Sequence, residues 1–149
     1  MARVLALDLG NRVGVALSDP RGLLARPLLV FKRGSRQEDF TRIAHLVAEH
    51  QVEKVIVGLP LNMDGSEGPQ AAWVRDYSAA LAQALAVPVE LWDERLTTVE
   101  AQEIFHAQGK RVDRSRLDAL AAAVILQSYL DAQAGLSRQG ENHAAEMES

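Results

Sequence analysis

Short apolar runs separated by polar turns dominate the first 33 residues. The runs cover Val4–Leu7, Val13–Leu17 and Pro27–Phe31, with Gly10-Asn11-Arg12 between the first two. Apolar runs of this length bounded by turn residues predict strands. Because the connections are short, we expect the three strands to form an antiparallel meander.

Helical spacing then alternates with two further strand-like runs. Ser35 and Glu38 are spaced as a capping box, and the apolar positions that follow recur every three or four residues: Phe40, Ile43, Ala44 and Val47. Lys54–Val57 predicts a fourth strand, which ends at Gly58-Leu59-Pro60.

The second half predicts three more helices and one strand. Pro69 is suited to the first turn of a helix whose apolar stripe is Trp73, Tyr77, Leu81 and Leu85. Val87–Trp92 predicts the fifth strand. Thr97 and Glu100 suggest another capping box, opening a helix through Phe105, and Leu117–Leu130 predicts a strongly apolar, buried helix.

This order of elements predicts the fold class. Three leading strands favour antiparallel pairing, and two strands that each follow a helix favour parallel additions. We therefore predict an α/β fold with a mixed five-stranded sheet flanked by helices. Residues 1–134 would form this domain, and residues 135–149 have too few large apolar side chains to pack, which predicts a disordered acidic tail.

Composition excludes several classes of site. The 149 residues contain no cysteine, which excludes disulfides, thiolate zinc sites and a cysteine nucleophile. A carboxylate at position 8 interrupts the N-terminal apolar run, and no apolar run reaches the ~18 residues of a membrane span. We therefore expect a cytoplasmic protein without a membrane partner. The net charge of −4 does not exclude a local phosphate site, because metal-binding acids lower the total.

Three acids occupy positions that suggest chemistry. Asp8 follows the strand Val4–Leu7, Glu94 follows the fifth strand directly after Asp93, and Asp118 lies near the start of an otherwise apolar helix. Ligand sites of open α/β sheets lie beyond the carboxyl ends of parallel strands. A carboxylate among apolar residues is costly unless it is paired or bound to metal.

A cluster of carboxylates would be a hard oxygen site. Such ligands suit Mg²⁺ or Mn²⁺ and suit zinc poorly. Two ions about 3.5–4 Å apart can activate water and stabilise the leaving oxygen of a phosphodiester. Asp8, Glu94 and Asp118 are therefore candidate catalytic residues and metal ligands, and Asp93 is the better candidate for a supporting acid.

Simpler interpretations remain open for each residue. Asp8 could end a strand in a turn, and Asp118 could be an acid favoured by the dipole at a helix start. The histidines lack metal-ligand spacing and are better explained as surface residues. The basic stretch that precedes Asp118 could be a solvated loop or a phosphate clamp; it comprises Lys110, Arg111, Arg114 and Arg116.

Four segments together resemble the YqgF/RuvX family. They are ALDLGNRVGVALSD (6–19), IVGLPLNMDGSEGP (56–69), WDERLTTVEAQE (92–103) and DALAAAVILQSYL (118–130). The resemblance spans roughly positions 3 to 130 and implies a ribonuclease H-like fold. It also implies that the acids of the family fall on Asp8, Glu94 and Asp118, and its glycine-rich loop on Gly58, Pro60, Asn62 and Gly65.

The resemblance implies a nuclease acting on nucleic acid. The family is described both as a maturation nuclease for the precursor of 16S ribosomal RNA and as a Holliday-junction resolvase. The substrate-binding residues implied are Asn62, Arg95 and the basic stretch. Branched DNA remains the alternative substrate, and an actin-like nucleotide-binding domain or a non-catalytic RNA-binding domain is a distant alternative. The oligomeric state stays open, with a homodimer as one arrangement.

Overall fold

Five strands and four helices account for most of the chain. A computed structural model describes residues 3–109 and 114–148. The strands are β1 (Arg3–Leu9), β2 (Arg12–Ser18), β3 (Ala25–Lys32), β4 (Val52–Leu59) and β5 (Val89–Asp93). The helices are α1 (Arg36–Glu49), α2 (Pro69–Ala84), α3 (Val99–Gly109) and α4 (Arg114–Glu148), with a 3₁₀ turn at Glu94–Leu96 before α3.

The sheet has the predicted mixed topology. Its strand order is β3-β2-β1-β4-β5. The pairs β1–β2 and β2–β3 are antiparallel, and the pairs β1–β4 and β4–β5 are parallel. The predicted α/β fold class is confirmed. The carboxyl ends of β1, β3, β4 and β5 therefore lie along one edge of the sheet, which we call the carboxyl edge.

Strand alternation divides the core into two layers. Leu5 and Leu7 of β1 point to one face and pack with apolar side chains of α1 and α2. Val4 and Ala6 point to the other face and pack with Phe105 of α3 and with α4. Alternate residues of a strand point to opposite faces, so Asp8 belongs to the face that α4 covers.

Two helix starts test the predicted capping boxes. The prediction at Ser35 is confirmed: its Oγ accepts a hydrogen bond from the Glu38 N–H at 3.1 Å. The prediction at Thr97 is wrong, because Thr97 ends the 3₁₀ turn with its N–H donating to the Glu94 carbonyl at 3.3 Å. Thr98 caps α3 instead, with its Oγ1 accepting from the Ala101 N–H at 3.1 Å.

Helix α4 lies directly on the backbone of β2. A Cβ built on Gly14 would lie 1.9 Å from the carbonyl oxygen of Asp118 and 2.3 Å from its carbonyl carbon. No side chain can occupy such a space. Gly14 is therefore the residue that allows α4 to approach the sheet at the level of Asp118.

Helix α4 extends into the segment for which the sequence predicts a tail. The helix continues to Glu148, where a disordered tail is predicted from Gly135 onward. Helical hydrogen bonds are satisfied within the segment itself, and its Gln, Glu, Ala and Met residues favour a helix. A Cβ on Gly135 would contact nothing within 4 Å. The assignment of residues 1–134 as the functional domain stays a prediction. No described helix is both long and apolar enough for a membrane span.

Substituting Gly14 with alanine should destabilise the protein. The added methyl group would overlap the Asp118 backbone, which cannot rotate away as a side chain can, so we expect a loss of about 1–3 kcal/mol. Gly135→Ala is the matched control. It adds a methyl group in open space within a helix and should gain about 0.5–1 kcal/mol. Urea unfolding of both variants measures the difference, and equal stabilities would contradict the close approach.

The cap at Thr98 gives a second expectation. Thr98→Ala should lower the free energy of unfolding by about 1 kcal/mol, because the Ala101 N–H loses its acceptor. Thr97→Ala removes no cap and should have the smaller effect. Thermal unfolding of the two variants under the same conditions distinguishes them. A larger loss of stability in Thr97→Ala would identify Thr97 as the cap after all.

Candidate metal centre at the carboxyl edge

Asp8 occupies the middle of the sheet, at its carboxyl edge. It is the penultimate residue of β1 and lies within the strand, whereas the sequence pattern predicts a position just beyond it. Its antiparallel partner on β2 is Gly14. Since residues that face each other across a pair point to the same side, the Asp8 side chain and the space left by Gly14 adjoin on the α4 face.

Glu94 reaches the same face from the other side. It begins the 3₁₀ turn after β5, and its side chain lies against Gly58 of β4. A Cβ on Gly58 would be 2.7 Å from Glu94 Oε1 and 2.7 Å from Ile125 Cδ1. Gly58 thus vacates the space into which Glu94 turns back over the sheet.

Asp118 enters from α4. The helix begins at Arg114, earlier than the predicted Leu117, so Asp118 is in its second turn and no acid occupies the first. The helix dipole acts mainly within the first turn. It therefore does not explain why position 118 is an acid. Its neighbours Ala119 and Leu120 are buried, and Asp118 itself is half-buried.

Burial and mutual repulsion perturb the acids. Burial, followed by the charge of Asp118, raises the pKa of Asp8. Burial, followed by the charges of Asp8 and Asp93, raises the pKa of Glu94 to about 7. Both carboxylates face other acids, and neither forms a salt bridge with any side chain of the described residues. The site therefore carries negative charge that this part of the chain leaves uncompensated.

A pocket of about 300 Å³ opens between two of the acids. Asp8, Glu94 and Thr97 line its polar side, and the α4 residues Ala121, Val124 and Ile125 form an apolar wall. The sequence predicts a helix cap at Thr97 and does not indicate a place in the site. An apolar wall lowers the local dielectric and strengthens interactions with any bound cation.

The three acids do not converge as one compact group. Within the described residues, no set of three or more acidic or histidine side chains is close enough to hold a single ion. Asp8 interacts electrostatically with Asp118 and with Glu94, so it is the shared member of two pairs. Like charges separate when nothing holds them together.

Asp93 differs from its neighbour Glu94. Its carboxylate caps the 3₁₀ turn by accepting from the Arg95 N–H at 2.9 Å, and it pairs with the Arg95 guanidinium at 2.7 Å. The hydrogen bond from the Arg95 side chain is the main cause that lowers the pKa of Asp93. Arg95 also donates to the Met63 carbonyl at 3.2 Å. This pair joins the loop after β4 to the end of β5.

Some of the predicted substrate-binding residues lie in the described part of the chain. Asn62 is exposed, and its Nδ2 donates to Ser66 Oγ at 2.9 Å within the loop after β4. Arg116 is exposed in the first turn of α4, which Arg114 begins. Lys110 and Arg111 lie outside the described residues. The assignment of these residues to substrate binding stays a prediction.

Two solved structures resemble this fold. RuvC of T. thermophilus, solved in complex with a Holliday junction substrate, matches with a TM-score of 0.62 and 18% identity over 91% of this chain and 97% of that chain. The Holliday junction resolvase of fowlpox virus matches with a TM-score of 0.51 and 12% identity over 87% and 99%. At these identities the likeness concerns the fold, which is ribonuclease H-like as predicted.

Curated relatives are far more similar in sequence. A protein of Thermoanaerobacter pseudethanolicus is 46% identical over 135 residues, which cover 88% of this chain and 97% of that protein. One of Anaeromyxobacter sp. (strain Fw109-5) is 51% identical over 132 residues, covering 87% and 96%. Both are named as candidate pre-16S rRNA nucleases.

A family model spans nearly the whole of the described domain. It is described as RuvX, Holliday junction resolvase, and it matches residues 2–132. The match includes Asp8, Glu94 and Asp118 together with Gly14 and Gly58. The resemblance drawn from the four sequence segments is confirmed, and the chain belongs to the RuvX Holliday junction resolvase family.

Proposed function

We propose that this chain is a divalent-metal-dependent nuclease that hydrolyses phosphodiester bonds in the precursor of 16S ribosomal RNA. The observation that carries the proposal is the uncompensated acid group at the carboxyl edge. Asp8, Glu94 and Asp118 come from three separate elements; in addition to burial, the charge of Asp118 raises the pKa of Asp8, and the charges of Asp8 and Asp93 raise the pKa of Glu94. Nucleases of this kind require such carboxylates as metal ligands.

The donor chemistry fits Mg²⁺ or Mn²⁺. All three side chains offer carboxylate oxygens, which these ions prefer, and their negative charges lack a partner cation among the described residues. Asp8 would hold metal together with Glu94 and together with Asp118, consistent with two ions. A bound ion of this type supplies Lewis-acid activation of water and stabilisation of the leaving oxygen.

The surrounding residues position the acids. The Asp93–Arg95 pair fixes the corner from which Glu94 projects, and the Arg95 contact with Met63 holds the adjacent loop. Ala121 and Val124 exclude water from one side of the pocket. A metal site needs ligands supported by a rigid surround, and these contacts provide it.

The relatives support ribosomal RNA precursor as the substrate. They are 46% and 51% identical over nearly their full lengths and carry that nuclease name. The family description favours branched DNA as the second candidate. In either case, Asn62, Arg95 and the basic stretch Lys110–Arg116 would contact the substrate, whose backbone phosphates are the same.

Purified protein should cleave only when a divalent metal is present. With Mg²⁺ or Mn²⁺, we expect cutting of pre-16S RNA above that of a four-way DNA junction or an unrelated single-stranded RNA, and no cutting in excess EDTA. Asp8→Asn, Glu94→Gln and Asp118→Asn should each reduce kcat by a factor of about 10² or more, as loss of a metal ligand does.

Asp93→Asn is the matched control for these variants. It also removes a carboxylate at the same corner, but one that is bound to Arg95, so measurable cleavage should remain. Full activity in EDTA would exclude the metal mechanism. If Asp93→Asn were as inactive as Glu94→Gln at saturating Mn²⁺, the assignment of Glu94 as the metal ligand at this corner would be wrong. Preference for the junction would support the second candidate substrate.

Removing the Glu94 charge should stabilise the metal-free fold. Because the pKa of Glu94 is about 7 in the folded protein and its ordinary value is 4.5, the folded state binds more protons between these values, and stability falls as pH rises through that window. Glu94→Gln should flatten this fall and gain on the order of 1 kcal/mol at pH 8. Urea unfolding in EDTA at several pH values measures it.

Two further results complete this test. Asp93→Asn should lose stability at pH 8, because the lowered pKa of Asp93 marks a carboxylate that the fold stabilises. Mn²⁺ should raise the melting temperature of the wild type more than that of Glu94→Gln. A Glu94→Gln variant that is less stable than wild type and equally stabilised by Mn²⁺ would contradict the assignment.

A further inference from the structure

Two basic residues face each other across β2 and β3. Arg12 and Lys32 are direct partners in this antiparallel pair, and both are exposed. Neither forms a salt bridge with any side chain that the structure describes. Like charges placed directly opposite each other destabilise a sheet. The repulsion between Arg12 and Lys32 therefore destabilises the free protein, and no salt bridge to a described side chain offsets it.

The pair lies beside the proposed metal site. Arg12 is two residues from Gly14 on β2, so the two positions share a face of the sheet. Gly14 is the partner of Asp8, which makes Arg12 the diagonal neighbour of Asp8. Such neighbours are about 7–8 Å apart, within the reach of a long side chain. The basic pair thus adjoins the acids on the side of the antiparallel strands.

Arg33 lies on the other face of the sheet and does not belong to this pair. It follows Lys32 directly, and successive residues of an extended chain point to opposite faces. Its guanidinium carbon lies 4.3 Å from the centroid of the Trp73 ring of α2, which packs on the face away from α4. The basic pair beside Asp8 is therefore Arg12 and Lys32.

We propose that Arg12 and Lys32 form a phosphate-binding surface for the backbone of the nucleic-acid substrate. We call it the β2–β3 basic cluster. The inference rests on the proposed function, since it places substrate beside the acids of that site. The chain carries a net charge of −4, so two exposed cations that face each other at one end of the β2–β3 pair, without a salt bridge to any described residue, are a local departure from its overall charge. Arginine and lysine side chains are the common ligands of backbone phosphates.

The geometry favours nucleic acid over a small anion. Both cations are exposed at the end of the β2–β3 pair, whereas a site for a small anion is usually concave. A polyphosphate backbone can contact both at once and continue to Asp8. The cluster is separate from the basic stretch Lys110–Arg116 in sequence, so the two surfaces can be tested independently.

The test measures binding against salt concentration. Fluorescence anisotropy in EDTA, where cleavage is blocked, would use a labelled pre-16S RNA fragment and a labelled four-way DNA junction. For the Arg12→Gln/Lys32→Gln variant, we expect the slope of log Kd against log salt to fall by roughly 0.7–0.9 for each phosphate that the protein no longer neutralises. With Mg²⁺ present, KM should rise while kcat stays unchanged.

A matched control is available at the opposite edge of the sheet. Arg3→Gln/Arg26→Gln removes the same charge from the starts of β1 and β3, where neither residue has a salt bridge among the described residues. Its binding slope should equal that of the wild type. An equal fall of the slope in both double variants would indicate a general charge effect and overturn the cluster.

A stability measurement separates impaired binding from impaired folding. Lys32→Glu converts the like-charge pair with Arg12 into an attractive one, so its melting temperature should equal or exceed that of the wild type while its binding weakens. Wild-type affinity and slope in Arg12→Gln/Lys32→Gln would refute the inference. If the wild type cuts no substrate but the salt slope of Arg12→Gln/Lys32→Gln is still smaller than that of the wild type, the proposed nuclease function is refuted while the phosphate-binding role of the cluster is supported.

Discussion

The close approach of α4 to β2 at Gly14 determines where the acids meet. Across the sheet, Gly14, Asp8 and Gly58 occupy neighbouring strands on the face that α4 covers. The first glycine admits the backbone at Asp118, and the second admits the side chain of Glu94. Glycine within a strand lowers its stability. The two glycines beside Asp8 create the space in which Asp118 and Glu94 each approach Asp8.

Asp39 shows what a structural carboxylate looks like in the same chain. It is only 2% exposed, yet it accepts hydrogen bonds at 2.9 Å from the Gly34 N–H and the Tyr77 hydroxyl. A buried charge that is bonded in this way stabilises its surroundings. Burial, followed by the charges of neighbouring acids, raises the pKa of both Asp8 and Glu94. The acidic neighbours distinguish these two carboxylates from Asp39, and they are the reason for proposing that an external cation binds there.

The sequence predicted the sheet well because each strand carries its own signal. Apolar runs bounded by turn residues identify strands such as β1 and β4 without knowledge of their neighbours. The candidate acids followed from their positions, Asp8 and Glu94 at strand ends and Asp118 in an otherwise apolar helix. By contrast, Thr98 caps α3 because Thr97 already ends the preceding 3₁₀ turn, and the sequence does not show this turn. The role of Gly14 depends on α4, a helix about a hundred residues away in sequence. A glycine inside a strand indicates that another part of the chain packs closely against it, but the sequence does not show which part.

Opposite charges are separated across the row that contains Asp8. The acids lie on the side of β5 and α4, and the β2–β3 basic cluster lies on the other side of Asp8. The net charge of −4 does not reveal this separation of negative and positive side chains. Each group repels itself in the free protein. In the proposed function, a divalent cation would neutralise the first group, and backbone phosphates would neutralise the second. Because a ligand that binds only the folded state stabilises it, the free-energy cost of each like-charge group is offset when metal and nucleic acid bind.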